Sequence, residues 1–318
     1  MIPIFLENFS CVQPFFLRRN LIFSFTLTII TIIFSKSSLF FLITKIFSLN
    51  SKKIYFHVGL AKTGSTFLQK NFFPKLQGIK YISTHKYWRC IKIIKKTNFD
   101  SYLISREFDR QFEFEVKKIL KEFPQTKIII VFREHKKWIS SQFKRFSKNG
   151  YHFPFEKFYN NENSGFWKKN DMIYKEKLKI IKKYSAAAPL VLNFDELKIN
   201  PHSYLSKISN YTNSYYNESD INLNVVHKSY SEKQLIFLKN FCKNFKKTPP
   251  KYYANNKIKH WLLYRPWWLL FHLVMYIAFF IPKKIIVKKP LINQRYLDDC
   301  MNKYRKDWKL IQDITNKK

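Results

Sequence analysis

Cysteine is scarce in this chain, with four residues among 318. Cys11, Cys90, Cys242 and Cys300 lie far apart, and none of them falls at a Cys-x-x-Cys or Cys/His ligand spacing. This distribution argues against a zinc-finger type of metal site and against a disulfide framework. We predict that the protein binds no metal and that its thiols are small buried side chains.

Acidic residues are also few: 21 Asp and Glu stand against 58 Lys and Arg, which gives a formal net charge of +37. The excess is spread along the chain and favours acidic partners such as a nucleotide, an anionic lipid or an anionic glycan. A nucleic acid is disfavoured, because no zinc-finger, homeodomain or RNA-recognition signature is present. Only five glycines alongside abundant Lys, Asn, Ile and Phe are equally typical of a biased genome. The charge alone therefore assigns no function.

The common nucleotide loop, Gly-x-x-x-x-Gly-Lys-Ser/Thr, is missing as well, although residues 52–69 come close to it. An apolar run of strand length leads there into a Lys-Thr-Gly-Ser-Thr turn and the start of a helix. Gly59 and Gly64 have the required gap, but Ser65 occupies the Lys position and Lys62 precedes Gly64 by two residues. Unpaired N–H groups at such a turn and the helix dipole attract anions. The segment predicts an anion cradle, with an ordinary strand-to-helix turn as the alternative.

A second segment of the same kind spans residues 127–146. Its apolar run ends at Arg133, and a helical pattern follows. The planar fork of an arginine suits a phosphate group. A surface arginine without a ligand is the alternative.

These two segments resemble the sulfotransferase family. Its 5′-phosphosulfate loop usually has the form Pro-Lys-Thr-Gly-Thr-Thr after a strand, from which Ala61 and Ser65 depart mildly. In that family a strand-end Arg and a Ser eight residues later hold the 3′-phosphate of the donor nucleotide. Arg133 and Ser141 have this offset, and Ser140 is the adjacent alternative.

Three further stretches carry the resemblance. Residues 141–159 are similar to the family's Ser-x-Tyr…Gly…Phe-x-x-Phe run, with Phe143 in place of Tyr, and residues 189–211 are similar to its late strand and Tyr-Glu-Asp-Leu turn. Residues 304–312 resemble the closing helix of the bacterial and heparan-type carbohydrate branches. The resemblance implies a P-loop-NTPase-like sulfotransferase fold, 3′-phosphoadenosine 5′-phosphosulfate as co-substrate, and a hydroxyl-bearing glycan or glycolipid as acceptor.

The hydrophobic pattern between residues 53 and 193 alternates between strand and helix periods. Strands are predicted at 53–58, 79–83, 101–105, 127–132 and 189–193, and helices at 64–73, 109–122, 136–148 and 166–184. Such alternation predicts an α/β fold with a parallel sheet flanked by helices on both faces. Ligands of these sheets bind beyond the carboxyl ends of the strands, where Lys62 and Arg133 lie.

Sulfate transfer needs a base, because the acceptor hydroxyl must lose its proton as it attacks sulfur. Glu107 is our candidate: it ends a predicted strand, and the family often places its base on the strand before the 3′-phosphate strand. Its alternative role is that of an acid near a helix start or an ion-pair partner of Arg106 or Arg110. His85 is the second candidate base, with an idle loop histidine as its alternative role.

The remaining site residues follow from the resemblance. Lys62 is expected to neutralise the oxygen that bridges sulfur and the 5′-phosphate, mainly in the transition state. Thr63, Gly64, Ser65 and Thr66 are expected to hold the 5′-phosphate. The aromatic residues between 143 and 167 are expected either to line the acceptor groove or to form core.

Two apolar segments flank this region, at residues 21–43 and 261–282. Lys36 interrupts the first, which lacks an Ala-x-Ala cleavage site and is predicted to be an uncleaved anchor. The second carries Trp and Tyr typical of a membrane interface and is predicted to lie in it, with spanning and packing under the domain as alternatives. We expect an anchor at 1–50, a catalytic domain at 51–250 in the cytoplasm, and an interfacial segment with a basic helix at 251–318.

Two other functions remain open from the sequence. A P-loop kinase of a small molecule is one, although the Gly-Lys-Ser/Thr element is missing. A basic membrane-associated binding protein that keeps the fold without catalysis is the other.

Overall fold

A computed structural model of the protein describes residues 52–224, 230–244 and 257–316. The predicted anchor at residues 21–43 and Cys11 lie outside the described residues. Cys90, Cys242 and Cys300 are buried free thiols.

A five-stranded parallel sheet organises the described chain. Its strands are β1 (Lys53–Gly59), β2 (Lys80–Ile82), β3 (Ser101–Glu107), β4 (Lys127–Phe132) and β5 (Leu190–Asn193), in the spatial order β2-β3-β1-β4-β5. β1 and β4 are buried along almost their whole length. Strands covered on both faces are near-continuous apolar runs, which is the pattern that the sequence shows here.

The helices connect these strands and extend the fold beyond β5. Their bounds are α1 (Ser65–Phe67), α2 (Cys90–Lys96), α3 (Phe112–Glu122), α4 (His135–Lys148), α5 (Phe155–Phe158), α6 (Lys169–Met172), α7 (Tyr174–Tyr184), α8 (Phe194–Ile199), α9 (Pro201–Thr212), α10 (Glu232–Asn244), α11 (Lys257–Phe280), α12 (Lys283–Ile286), α13 (Gln294–Asn302) and α14 (Arg305–Asn316). Short 3₁₀ turns occur at Phe73–Lys75, Thr84–Arg89 and Glu218–Asp220.

Helices cover both faces of the sheet. On one face, Tyr55 of β1 and Val131 of β4 share a buried cluster with Leu68 and with Leu205 of α9. On the other face, the ring of Phe132 stacks on Tyr174 of α7 at 4.5 Å between centroids. The predicted α/β class, with a parallel sheet flanked by helices on both faces, is confirmed.

Two predicted helices differ in detail. The helix expected at 64–73 passes from α1 into a π-helical turn, Leu68–Phe72, before Pro74 ends it in a 3₁₀ turn. The helix expected at 166–184 is split into α6 and α7. A carboxylate from distant α14 explains the split, because Asp307 accepts hydrogen bonds from the backbone N–H groups of Tyr174 at 2.7 Å and Lys175 at 2.9 Å. This capping starts a new helix at residue 174.

A second core cluster joins the C-terminal helices to α4. It contains Phe143, Phe155, Phe158, Tyr159 and Trp167, all buried, together with side chains of α10, α11 and α13. These aromatic residues therefore form core, which is the second of the two roles expected for the 143–167 stretch. The described part of 251–318 shares this core, and the division of the chain at residue 250 stays a prediction.

One helix among the described residues is long and apolar enough to cross a membrane, the stretch Trp261–Phe280 of α11. Only 22 % of its most apolar window is buried inside the structure. Phe271, Val274, Met275 and Ala278 form its buried side. Most of this helix therefore presents apolar side chains outward.

Candidate functional site

The loop between β1 and α1 has the backbone geometry of an anion cradle. Lys62 and Gly64 have left-handed φ angles of 71° and 82°. The Thr63 hydroxyl donates to the Leu60 carbonyl at 2.6 Å and closes the turn. Within the described chain, the backbone N–H groups of residues 63–66 donate no hydrogen bond. Four donors at the carboxyl end of the central strand are thus available to an anion.

Gly64 meets two requirements that no larger residue meets. Its positive φ is costly for residues with a Cβ atom. A Cβ atom there would also lie 2.8 Å from the Phe194 ring and 3.1 Å from a methyl group of Leu197. Residues 194–197, at the start of α8, therefore close directly over the loop.

The variant Gly64→Ala is expected to weaken binding of adenosine 3′,5′-bisphosphate at least about tenfold, because the ring contact and the backbone strain, roughly 1–2 kcal/mol, both displace the loop. Calorimetric titration and thermal unfolding measure the two effects. Gly78→Ala is the matched control, since Gly78 has φ 78° but its Cβ atom would meet Tyr215 only at 3.5 Å. Equal affinity losses in the two variants would contradict a role of the Gly64 loop in binding.

Arg133 reaches the same loop from the end of β4. Its Nη1 donates to the Lys62 carbonyl at 3.2 Å, and its guanidinium lies 5.0 Å from the Phe194 ring centroid. The Nε of Arg133 is buried and has no hydrogen-bond partner in the described chain. The two segments recognised in the sequence, 71 residues apart, thus converge at one place.

Lys62 extends to the surface at the tip of this loop. Neighbouring atoms partly desolvate its ammonium group, which lowers the pKa of Lys62, and repulsion from Arg145 and Arg133 lowers it further. The negative charge of Glu107 raises the pKa of Lys62. Three cationic side chains therefore surround the cradle, and an anion bound there would relieve their mutual repulsion.

Glu107 lies at the end of β3 and is paired in register with Gly59 of β1. Burial raises the pKa of the Glu107 carboxyl, and the nearby Asp109 raises it further. Arg145, the Ser65 hydroxyl and Lys62 lower the pKa in part. The Ser65 hydroxyl lies near enough to the Glu107 carboxyl to lower its pKa. The buried Oγ of Ser65 nevertheless makes no hydrogen bond of good geometry in the described chain. Glu107 is therefore a half-buried acid beside the loop.

The two serines of α4 differ in their surroundings. Ser140 donates its hydroxyl to the Lys136 carbonyl at 2.7 Å, within its own helix. Ser141 is half-buried, and its hydroxyl makes no hydrogen bond within the described residues. It follows Trp138 by three positions and Lys137 by four, and those two side chains contact the Ala61 carbonyl and Asp195. Ser141 is thus available on the side of α4 that faces the loop.

The two histidines considered in the sequence lie in different environments. His85 is exposed in the turn after the edge strand β2, with β3 between it and β1, and its one contact in the described chain is with Ser83 at 3.4 Å. His57 is buried in β1, where it bonds to Ser105 at 2.8 Å and packs on Phe73. Burial lowers the pKa of His57 to about 3, so its ring is neutral at ordinary pH. Of the two candidate bases, Glu107 lies beside the loop, whereas His85 lies in the 3₁₀ turn after β2.

The sequence did not predict the residues that hold Ala61, in the loop, by hydrogen bonds. Asp109 accepts from the Ala61 N–H at 3.0 Å and pairs with Arg145 at 3.2 Å. The Ala61 carbonyl accepts from the Trp138 indole at 2.9 Å and from Gln142 at 3.4 Å. Both backbone groups of Ala61 are therefore held, and its neighbour Lys62 keeps its strained φ. No local signal marks these partners, because they come 48 to 81 residues later in the chain.

The arrangement combines an anion cradle, a phosphate-suited arginine and an acid of raised pKa at one sheet edge. Among the described residues no group of three or more His, Cys, Asp or Glu is placed to hold a metal ion. Chemically, the site suits a doubly charged ligand bound at its two ends, with the carboxylate of Glu107 able to accept a proton.

Comparisons with known proteins find similarity in structure but not in sequence. The sequence matches no protein-family model and no curated protein. The structure is similar to a sulfotransferase from Alicyclobacillus acidocaldarius, with 12% identity, a TM-score of 0.42, and coverage of 61% of this chain and 92% of the other. It is also similar to mouse sulfotransferase SULT7A1 complexed with PAP, with 15% identity, a TM-score of 0.40, and coverage of 84% and 92%. At these identities and scores the likeness assigns no activity to this chain.

Proposed function

We propose that this protein is a sulfotransferase that moves the sulfuryl group of 3′-phosphoadenosine 5′-phosphosulfate to a hydroxyl group. The observation that carries the proposal is the hydrogen bond between Arg133 Nη1 and the Lys62 carbonyl, 3.2 Å long. It joins the two predicted phosphate-binding segments into one site. Had they faced different sides of the sheet, a single bisphosphate could not have bridged them.

The loop binds the 5′-phosphosulfate end of the donor. The backbone N–H groups of residues 63–66 and the hydroxyls of Ser65 and Thr66 surround the 5′-phosphate, and Gly64 allows the close approach. Lys62 neutralises the bridging oxygen as the bond to sulfur breaks. These roles use backbone donors that have no partner within the described residues.

Arg133 and Ser141 bind the 3′-phosphate. The buried Nε of Arg133, which has no partner among the residues that the structure describes, is a donor that a phosphate oxygen would satisfy. The free hydroxyl of Ser141 adds a second donor from α4, whereas that of Ser140 is already used within the helix. This difference supports Ser141 over its neighbour.

The transfer is an in-line displacement at sulfur. The acceptor oxygen forms a new bond to sulfur while the bond from sulfur to the bridging oxygen breaks, and adenosine 3′,5′-bisphosphate leaves. Glu107 takes the proton of the acceptor hydroxyl, which its raised pKa favours. His85 stays the second candidate for this role.

The acceptor is proposed to be a glycan or glycolipid hydroxyl at a membrane surface, with the catalytic domain on the cytoplasmic side. The support is the outward apolar side of α11, which would lie in the plane of the interface. Its exposed residues include Trp261, Leu262, Leu269, Leu273, Tyr276 and Phe280. The predicted anchor at 21–43 would add a second attachment.

Calorimetric titration with adenosine 3′,5′-bisphosphate and with ATP tests the donor class. We expect the bisphosphate to bind and ATP to bind at least about tenfold more weakly, since each correctly paired charged group contributes about 1.5–3 kcal/mol. Arg133→Lys should weaken bisphosphate binding roughly tenfold or more by losing the planar fork. Arg89→Lys, at an exposed position in the turn after β2, is the control. Preference for ATP would support the kinase, and binding of neither would support a non-catalytic protein.

Incubation with sulfur-labelled donor and separate lipid and glycan extracts tests the acceptor. Label in an isolated glycan or glycolipid fraction is expected with the unchanged protein. Label that appears only as free sulfate would contradict a transfer function.

A further inference from the structure

A cavity of about 710 Å³ lies away from the proposed active site, between α10, α12 and the segment 287–291. This volume is within the range of small-molecule sites, about 300–1,000 Å³. Much of its lining is apolar and comes from Ile236, Phe237, Ile281, Ile285, Ile286 and Leu291. The cavity suits a hydrocarbon chain.

Three lysines, Lys239, Lys288 and Lys289, also line the cavity, and no Asp or Glu of the described chain does so. Lys239 is half-buried on α10 and lies 5.6 Å from the Phe143 ring centroid. It makes no ion pair within the described residues. Burial lowers its pKa, and Glu156 opposes this shift from a distance. A desolvated ammonium group that no described carboxylate contacts as an ion pair favours an anion.

The lining of this cavity includes Ile281 and Ile285, which follow directly on the end of α11 at Phe280. Lys233 donates to the carbonyls of Phe279 at 2.9 Å and Ile281 at 3.1 Å and so fixes the end of α11 against α10. Phe280 is 67% exposed, and Ile285, which lines the cavity, is 65% exposed. A bilayer that takes up this side of α11 would bring its headgroups to the lysines.

The geometry points to a binding site for one anionic phospholipid, whose acyl chain fills the cavity and whose phosphate contacts Lys239, Lys288 and Lys289. The apolar lining accounts for the acyl chain, and the three lysines, which form no ion pair in the described part of the protein, account for the charge. Continuity with α11 accounts for a ligand that arrives from a membrane. The site is independent of the transfer reaction, because none of its residues belongs to the nucleotide site.

Titration of the full chain with dioctanoyl phosphatidylglycerol and with dioctanoyl phosphatidylcholine tests the inference. Phosphatidylglycerol is expected to bind at least about tenfold more tightly, since the ion pairs form in a partly desolvated site. Lys239→Met should remove most of this preference while keeping the contact with Phe143. Ile285→Glu, at an exposed position, should weaken phosphatidylglycerol binding by placing a carboxylate at the mouth. Lys121→Met makes the same change of charge as Lys239→Met, but on α3, and it should leave phosphatidylglycerol binding unchanged.

Three outcomes would overturn the site. They are equal affinity for the two lipids, an equal effect of Lys121→Met and Lys239→Met, and displacement of the lipid by inorganic phosphate at the same concentration. Bisphosphate titration on the same preparations keeps the two proposals apart, because Lys239→Met and Ile285→Glu should leave nucleotide binding unchanged. If the unsubstituted protein does not bind the bisphosphate, that result would contradict the proposed sulfotransferase function but not the lipid site.

Discussion

Replacing Lys62 by alanine is expected to lower the turnover of sulfate transfer about 100- to 1,000-fold, which is the usual effect of removing one group that stabilises transition-state charge. Binding of adenosine 3′,5′-bisphosphate should weaken less than about tenfold, because backbone donors and Arg133 hold much of the ligand. Turnover is measured as label transferred to the acceptor fraction, and affinity by calorimetry. The split between the two quantities is the result that identifies a transition-state role.

Two further variants make this experiment decisive. Lys62→Arg keeps the charge and should retain more activity than Lys62→Ala. Lys70→Ala removes an exposed lysine on the π-helical turn and should change neither quantity. Equal loss of turnover and of bisphosphate affinity in Lys62→Ala would reduce Lys62 to a binding residue.

Glu107→Gln is expected to lower turnover about 100- to 10,000-fold with bisphosphate affinity nearly unchanged, because it removes a general base and keeps the side-chain shape. His85→Asn, the same kind of change at the other candidate, should have little effect. The reverse pattern would assign the base to His85. The comparison is informative because Glu107 ends β3 whereas His85 lies in the 3₁₀ turn after β2, and of these two residues only Glu107 shifts the pKa of Lys62.

The pH dependence follows from the raised pKa of Glu107. The carboxylate must be ionised to accept a proton, so kcat/KM should rise with pH through an apparent pKa above the ordinary glutamate value, 4.5. The free energy of unfolding changes with pH in the opposite direction, because the folded state binds the Glu107 proton more tightly than the unfolded state does. The free energy of unfolding therefore falls as pH rises from the ordinary value through the raised one. Glu107→Gln should remove this fall, which thermal unfolding across the same pH range can detect.

The predicted strands and the predicted turn at residues 62–66 agree with the structure because they depend on local properties. Residues 53–58 and 127–132 are mostly apolar runs, and such runs become central strands of a parallel sheet. Gly64 in a Lys-Thr-Gly-Ser-Thr turn allows a left-handed φ wherever the turn lies. The helix at 166–184 was wrong as one element, since Asp307, more than a hundred residues away, caps its second half.

The aromatic stretch 143–167 shows where the sequence left a choice open. A Phe or Trp has the same local pattern in a core and in a sugar-binding groove. Packing against α10, α11 and α13 places Phe143, Phe155, Phe158, Tyr159 and Trp167 in the core, whereas Phe153 and Phe166 are exposed. Those helices come more than 60 residues later in the chain. No periodicity within the stretch contains that information.

The sequence by itself determined which segments become strands, which turn is predicted to bind an anion, and that an arginine follows the fourth strand, because each depends on neighbouring residues. Only the tertiary structure decided that Arg133 meets the Lys62 carbonyl, that Glu107 rather than His85 lies beside the loop, and that Asp109, Trp138 and Gln142 hold Ala61. These contacts join residues 48 to 81 positions apart. They exist because the parallel sheet brings the carboxyl ends of β3, β1 and β4 to one edge.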